Sequence, residues 1–347
     1  MNKVVVLGAG VAGASTAIFL RQRGINTLLV ERKPDKQTDL PVIGESLPPD
    51  AKNVLLRLGV WEKFKAGAHL QCFGNKSYWF SDKAQYHDFM QHPVGHGWHL
   101  DRATFDQMLL DHAIAMGADY HANTRIVESK LENDSWRLTL KGANRREHTE
   151  TAVFVVDATG RNSWFARRQG VSRLYEDQQL ALIRFHRTTE AFQESTSLVE
   201  TTDEGWWYSA LIPDARMVSA FFCKPDKTQR EQWIRIEGWR KLLASAPHTQ
   251  ERLKKAGCEP LKPPHFVPAD SGILEKLTGL RWLAVGDAAL TYDPIASHGI
   301  LMAMVTGRDA ALAIARFFDS DVAAIEEYNA QCWWAFRQYS QQRMAFY

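Results

Sequence analysis

Apolar positions open the chain as an unbroken run, Val4-Val5-Val6-Leu7. A run without polar alternation predicts a parallel strand covered on both faces. It stops at Gly8, and in AGASTAIFLRQRG apolar residues at Ala14, Ala17, Ile18 and Phe19 fall at helical i,i+3 and i,i+4 spacings. That spacing predicts a helix, and Gly24 ends it in the usual position after the last turn. A second apolar strand, Thr27-Leu28-Leu29-Val30, delivers Glu31. Farther on, HLDRATFDQMLLDHAIAMG (99–117) predicts a helix capped by Asp101, with Phe105, Met108, Leu109 and Ala113 inward. After residue 179 the pattern changes to β-branched and aromatic stretches: LALIRFHRTT, STSLVET, GWWYSALIP and MVSAFFC. These predict an antiparallel sheet. QREQWIRIEGWRKLLASA (229–246) predicts a helix. The tail, 321–347, predicts one long helix with Ile325, Tyr328, Cys332, Phe336 and Tyr339 on its apolar stripe, running out on Phe346-Tyr347.

The fold class is therefore α/β: a Rossmann-like nucleotide-binding domain, an α+β substrate domain built on an antiparallel sheet, and a C-terminal helix. Both domains are discontinuous. Residues 1–70, 95–178 and 270–318 form the first, 71–94 and 179–269 the second, and 319–347 the helix. With 347 residues, 45% hydrophobic and 24% charged, the chain has ample length for such a core. A net charge of +2 without a basic run argues against nucleic acid as a partner. Cys72, Cys223, Cys258 and Cys332 are too scattered for a disulfide framework or a zinc site, so no metal is expected and a reducing, cytoplasmic setting is. The first apolar run is too short for a signal peptide, and nothing approaches the ~20 apolar residues of a membrane span.

Gly8-Ala9-Gly10-Val11-Ala12-Gly13 sits between the first strand and the helix. Gly8 permits the tight turn, Gly10 lets the backbone approach a pyrophosphate, and Gly13 lets helix and strand pack closely. Phosphates then rest on the helix N-terminus while Glu31 accepts a ribose hydroxyl. An acidic residue at that point favours a free ribose over a 2′-phosphate.

Two later stretches identify the dinucleotide. VFVVDATGRNSWFAR (153–167) and LRWLAVGDAALTYDPIASHGILMAMVTGRDAA (280–311) each read as a strand, a glycine turn and a helix. Together with the first thirty residues, they resemble the fingerprints of the group A flavoprotein monooxygenases, the p-hydroxybenzoate hydroxylase superfamily. The stretch VIGESLPPDAKNVLLRLGV (42–60) is similar to the branch that includes the tryptophan halogenases. This resemblance implies FAD held by Gly8, Gly10, Val11, Ala12, Gly13, Glu31, Arg32, Glu45, Ser46, Arg102, Val127, Asp157, Gly160, Gly286, Asp287, Pro294, Gly299 and Ile300. Alternatives stay open: Asp287 as a turn aspartate, Arg102 as a solvated first-turn arginine, and Glu45-Ser46 as an ordinary helix start.

Halogenation fits less well. Halogenases carry a lysine in the strand after the GESxxP helix, but here Phe73 is followed by Gly74, and Lys76 stands two residues on, about 7 Å along the strand. Nor does GWWYSALIP match their Trp-x-Trp-x-Ile-Pro in either register. Trp206, Tyr208 and Ala210 share one strand face and Trp207, Ser209 and Leu211 the other. Trp206, Tyr208 and Phe73 are the expected substrate wall, with core packing the alternative for either tryptophan.

The combination of GESLPP, GWHLDR, GWWYS and DPIASHGIL resembles the flavoproteins that accompany LodA-like amino-acid oxidases and quinohemoprotein amine dehydrogenases, where they help build cysteine tryptophylquinone. That resemblance implies oxygenation, through a flavin C4a-hydroperoxide, of a tryptophan in a partner protein precursor, with electrons from an external donor. Glu45 is the first candidate for the base, with His298 and Asp293 behind it. The rivals are a hydroxylase or halogenase for a small aromatic metabolite and a non-catalytic, flavin-bearing chaperone.

Overall fold

The computed structural model describes residues 2–33, 43–89 and 91–344. Phe346 and Tyr347 lie outside them, as does Val42 at the head of the GES stretch.

The apolar runs assemble a six-stranded sheet in the order Thr278–Gly279, Trp282–Ala284, Phe154–Asp157, Lys3–Leu7, Asn26–Val30 and Asp119–His121. All its pairs are parallel except the Thr278–Gly279 edge. Val4, Val5 and Val6 are fully buried, as an unbroken apolar strand requires. Helices Val11–Gln22 and Gly299–Phe318 pack against each other, so close that a Cβ on Gly307 would touch Thr16 Oγ1 at 2.9 Å. Gly24 has the expected left-handed backbone, with φ of 72°. Asp101 caps helix Arg102–Ala115 by accepting from the Thr104 N–H at 2.8 Å.

A second, eight-stranded sheet carries the aromatic stretches. Leu180–Arg187, Arg216–Cys223, Gly205–Ile212 and Thr196–Thr202 are antiparallel neighbours, and Gly74–Tyr78 joins Thr196–Thr202 in parallel. One face holds Trp206, Ala210, Ile183 and Phe222. The other, with Trp207 and Phe221, is covered by helices.

Three features depart from the sequence reading. The helix expected over 229–246 breaks into Lys227–Trp233 and Ile236–Ala244, because Arg235 is extended and Gly238 lies against the carbonyl of Gln232. The tail helix begins at Ala323 rather than 321 and spans Ala323–Arg343 among the described residues. A three-stranded meander, Arg125–Glu132, Ser135–Lys141 and Glu147–Ala152, fills the crossover before Phe154. Its first strand alternates buried and charged positions too weakly to stand out. Among the described residues no helix is long and apolar enough to cross a membrane. All four cysteines are free.

Candidate active site

A cavity of about 390 Å³ opens where the glycine turn, the GES turn, the loop 292–298 and the second sheet converge. The turn is built as its spacing demands. Gly8 is left-handed (φ 101°), and a Cβ on Gly13 would lie 1.9 Å from the Gly8 carbonyl oxygen. Gly10 has open space where a side chain would stand, and with Val11 and Ala12 it lines the cavity at the start of the helix. Glu31 closes the turn from behind: Oε2 accepts the Ala9 N–H at 2.9 Å and Oε1 the Lys33 N–H at 2.8 Å. Open backbone N–H groups at a helix start, with a carboxylate one strand away, are the donor set a dinucleotide needs. The residues fit FAD.

Glu45 lies on the cavity wall, only 2% exposed. Its Oε1 accepts the Tyr208 hydroxyl at 2.6 Å and its Oε2 the Gly44 N–H at 3.0 Å. Burial pushes the Glu45 carboxyl above the usual carboxylate range, against the pull of these hydrogen bonds and of Arg102. Burial, then Glu45, pushes the Tyr208 hydroxyl well up. Ser46 follows in a short strand paired with Gly97–His99, and the helix begins only at Ala51. Arg102 lines the cavity and is mostly buried rather than solvated. It pairs with Asp106 and donates to the Gly44 carbonyl at 2.9 Å, which holds the GES turn in place.

Trp206 and Tyr208 line the cavity, and Trp206 stacks on Phe222 with centroids 4.0 Å apart. Trp207 points the other way and is fully buried against Phe221 and Trp239. Phe73 is no part of this wall. It precedes a strand two places from Gly205–Ile212, and its ring is 42% exposed beside His96. Lys76 shares a strand face with Tyr78, which stacks on His248 of a covering helix, and so lies across the sheet from the cavity. Among the described residues lining the cavity there is no lysine.

Gly160, Asp287, Pro294, Gly299 and Ile300 also line the cavity, whereas several other expected cofactor residues serve the scaffold. Asp157 is fully buried, and both its oxygens are taken. They accept from the Thr159 N–H and hydroxyl and from the Phe165 and Ala166 N–H groups, capping the next helix. Gly286 meets Ala12 instead of open space, fastening the third fingerprint to the first. Val127 is half-buried on the meander and Arg32 exposed, and neither lines the cavity. Asp293 is buried and bound to Arg343, 3.1 Å away. His298 is exposed at the rim. Of the three candidate bases, Glu45 alone is a buried carboxylate held by a neutral donor from across the cavity.

Arg161 was not foreseen. It lines the cavity, donates to the Asp270 carbonyl at 2.8 Å and stands 3.6 Å from Asp287 Oδ2. Its place beside Gly160 in the second fingerprint was the available signal.

Known proteins resemble this chain in sequence or in fold. LodB, an FAD-dependent oxidoreductase of Marinomonas mediterranea, is 28% identical over 305 residues, covering 87% of this chain and 81% of LodB. The 1H-pyrrole-2-carbonyl-[peptidyl-carrier protein] brominase of Pseudoalteromonas luteoviolacea is 26% identical, over 92% of this chain and 78% of that enzyme. The structure of CmlS, a flavin-dependent halogenase, superposes with a TM-score of 0.88 at 26% identity over 99% of this chain. The chain spans only 64% of CmlS. Halogenase PltM, solved with phloroglucinol and FAD, shares the fold at 18% identity, with a TM-score of 0.79 over 95% of this chain and 73% of PltM. The FAD binding domain profile matches residues 1–342, and the chain belongs to that family as an FAD-dependent oxidoreductase.

Proposed function

We propose that this protein is a monooxygenase that oxygenates a tryptophan side chain of a partner protein precursor, as a step in forming cysteine tryptophylquinone. When bound and reduced, FAD supplies two electrons, so that one oxygen atom of O2 enters the ring and the other leaves as water. Those electrons come from an external donor. The observation that carries the reading is the Glu45–Tyr208 pair, at 2.6 Å, set in an aromatic wall without a lysine among its described residues.

The chain's own groups divide the work. Trp206, backed by Phe222, offers a flat apolar face to an incoming indole and excludes water beside it. Glu45 takes the proton that the oxygenated ring carbon releases as aromaticity returns. Burial raises the proton affinity of its carboxyl, which suits that uptake, and the Tyr208 hydroxyl positions the carboxylate that receives the proton. The start of helix Gly299–Phe318 borders the cavity, and its unpaired N–H groups favour negative charge there. That the ring belongs to a protein is supported by the likeness to LodB together with the GESLPP, GWHLDR, GWWYS and DPIASHGIL combination.

Oxygen uptake by the reduced holoenzyme tests this reading against its rivals. Uptake coupled to product only when the precursor protein is added supports it. Turnover of free indoles or phenols without any protein partner sinks it, as does stable precursor binding without oxygen uptake.

A further inference from the structure

Tyr292, Asp293 and Pro294 line the cavity, and behind them stands the C-terminal helix Ala323–Arg343. Its last turns reach this stretch through three kinds of contact. The Asp293 backbone N–H donates to Tyr339 Oη at 2.5 Å. The Tyr339 ring meets Tyr292 edge-on, with centroids 4.6 Å apart. Arg343 Nε donates to Asp293 Oδ2 at 3.1 Å, while its Nη2 lies 2.7 Å from Asp177 Oδ2. The Asp293 and Asp177 side chains are 0% and 1% exposed, so two carboxylates removed from water share one guanidinium. Buried carboxylates stay ionised only when paired. The other Asp293 oxygen accepts the Ile295 N–H at 3.0 Å and shapes the short turn Pro294–Ala296 that leads into helix Gly299–Phe318.

From this geometry we infer that Tyr339 and Arg343 are positioning residues for the flavin-facing loop. The C-terminal helix fixes the loop's backbone and cancels the charge of Asp293 beside FAD. Helix docking and cofactor binding are then coupled. A helix that only packed would bury apolar groups, as this one does at Tyr328, Cys332 and Phe336. It would need neither a hydroxyl on a loop N–H nor a guanidinium between two buried carboxylates. The inference rests on FAD occupying the cavity, and not on which ring is oxidised.

The test compares the full-length parent with Tyr339→Phe, Arg343→Gln, Arg343→Lys and the double variant Arg343→Gln/Asp293→Asn. FAD affinity is read by fluorescence titration of the apoprotein, and the FAD midpoint potential by dye-coupled reduction of the holoenzyme. Arg343→Gln should weaken FAD binding about tenfold and lower the midpoint potential, because an unneutralised carboxylate disfavours added electrons. Tyr339→Phe should weaken binding less and leave the potential near the parent's. Arg343→Lys and the double variant should bring the potential back toward the parent's. Parental affinity and potential in all four variants would overturn the inference. So would weakened binding in Arg343→Gln with an unchanged potential and no recovery in the double variant, which is the signature of lost packing alone. Should Arg343→Gln not fold, Tyr339→Phe and Arg343→Lys decide: parental FAD affinity in Tyr339→Phe, or loss of affinity in Arg343→Lys as large as complete apoprotein unfolding produces, counts against it.

Discussion

Replacing Tyr208 with Phe removes one hydroxyl and nothing else from the cavity wall, so its effect can be worked out. Glu45 is 2% exposed and accepts two hydrogen bonds, from the Tyr208 hydroxyl and the Gly44 N–H. The Tyr208 bond is the stronger of the two in favouring the ionised carboxylate. A hydrogen bond to a charged group contributes about 1.5–3 kcal/mol. Losing the Tyr208 hydroxyl should therefore raise the Glu45 pKa further and cost about 2 kcal/mol wherever Glu45 is ionised. The direction of the pH effect follows. Glu45 already titrates above its unfolded value, so stability falls as pH rises through its folded pKa, and a higher pKa enlarges that loss. The Tyr208→Phe penalty should therefore be small at acid pH, where Glu45 is protonated, and approach about 2 kcal/mol at alkaline pH. For 347 residues the unfolding entropy is roughly 0.7 kcal/mol/K, so the Tm should fall by about 3 °C more at high pH than at low. Thermal unfolding of the parent, Tyr208→Phe, Glu45→Gln and the double variant across pH measures this directly. A penalty that is flat with pH and undiminished in the Glu45→Gln background would refute the pairing.

Three further outcomes are expected. Gly13→Ala places a Cβ 1.9 Å from the Gly8 carbonyl, so the purified protein should lack flavin absorbance and be destabilised by about 3 kcal/mol. Trp207→Ala empties a fully buried site between Phe221 and Trp239 and should cost about 3–5 kcal/mol in urea unfolding, while FAD affinity changes little because the ring faces away from the cavity. Burial holds His99 and His186 at about 4, aided by Arg252 and Arg184 respectively. The unfolded chain then takes up protons first, so stability should be lost as pH falls from about 6.5 toward 4, and His186→Gln should flatten that slope.

The fold was legible wherever the local pattern and the tertiary role agree. Val4–Leu7 and Thr27–Val30 are apolar because both faces are covered, and glycine is required at positions 8 and 13 because an added Cβ would stand 2.3 and 1.9 Å from a backbone carbonyl oxygen. The two faces of GWWYSALIP were likewise readable, since strand alternation alone separates Trp206 from Trp207. What escaped was everything that depends on partners distant in sequence. Glu45 and Tyr208 are 163 positions apart, and nothing near either residue names the other. Asp157 was expected at the cofactor from the resemblance of VFVVDATGRNSWFAR to a flavoprotein fingerprint. Only the structure shows its oxygens spent on Thr159, Phe165 and Ala166. Asp293 was a candidate base as a carboxylate desolvated beside the flavin, while the arginine bound to it comes from the end of the last helix. Phe73 fails for a different cause: its strand was recognised, but not its place two strands from the cavity.

The most direct test is to give the reduced holoenzyme isotopically labelled dioxygen together with the partner precursor, then locate any mass change by peptide mass spectrometry. One labelled oxygen atom should appear on a tryptophan of the precursor, and none when Glu45→Gln replaces the parent enzyme. A precursor that stays unlabelled, or a tryptophan that gains a halogen when halide is present, would contradict the proposed oxygenation.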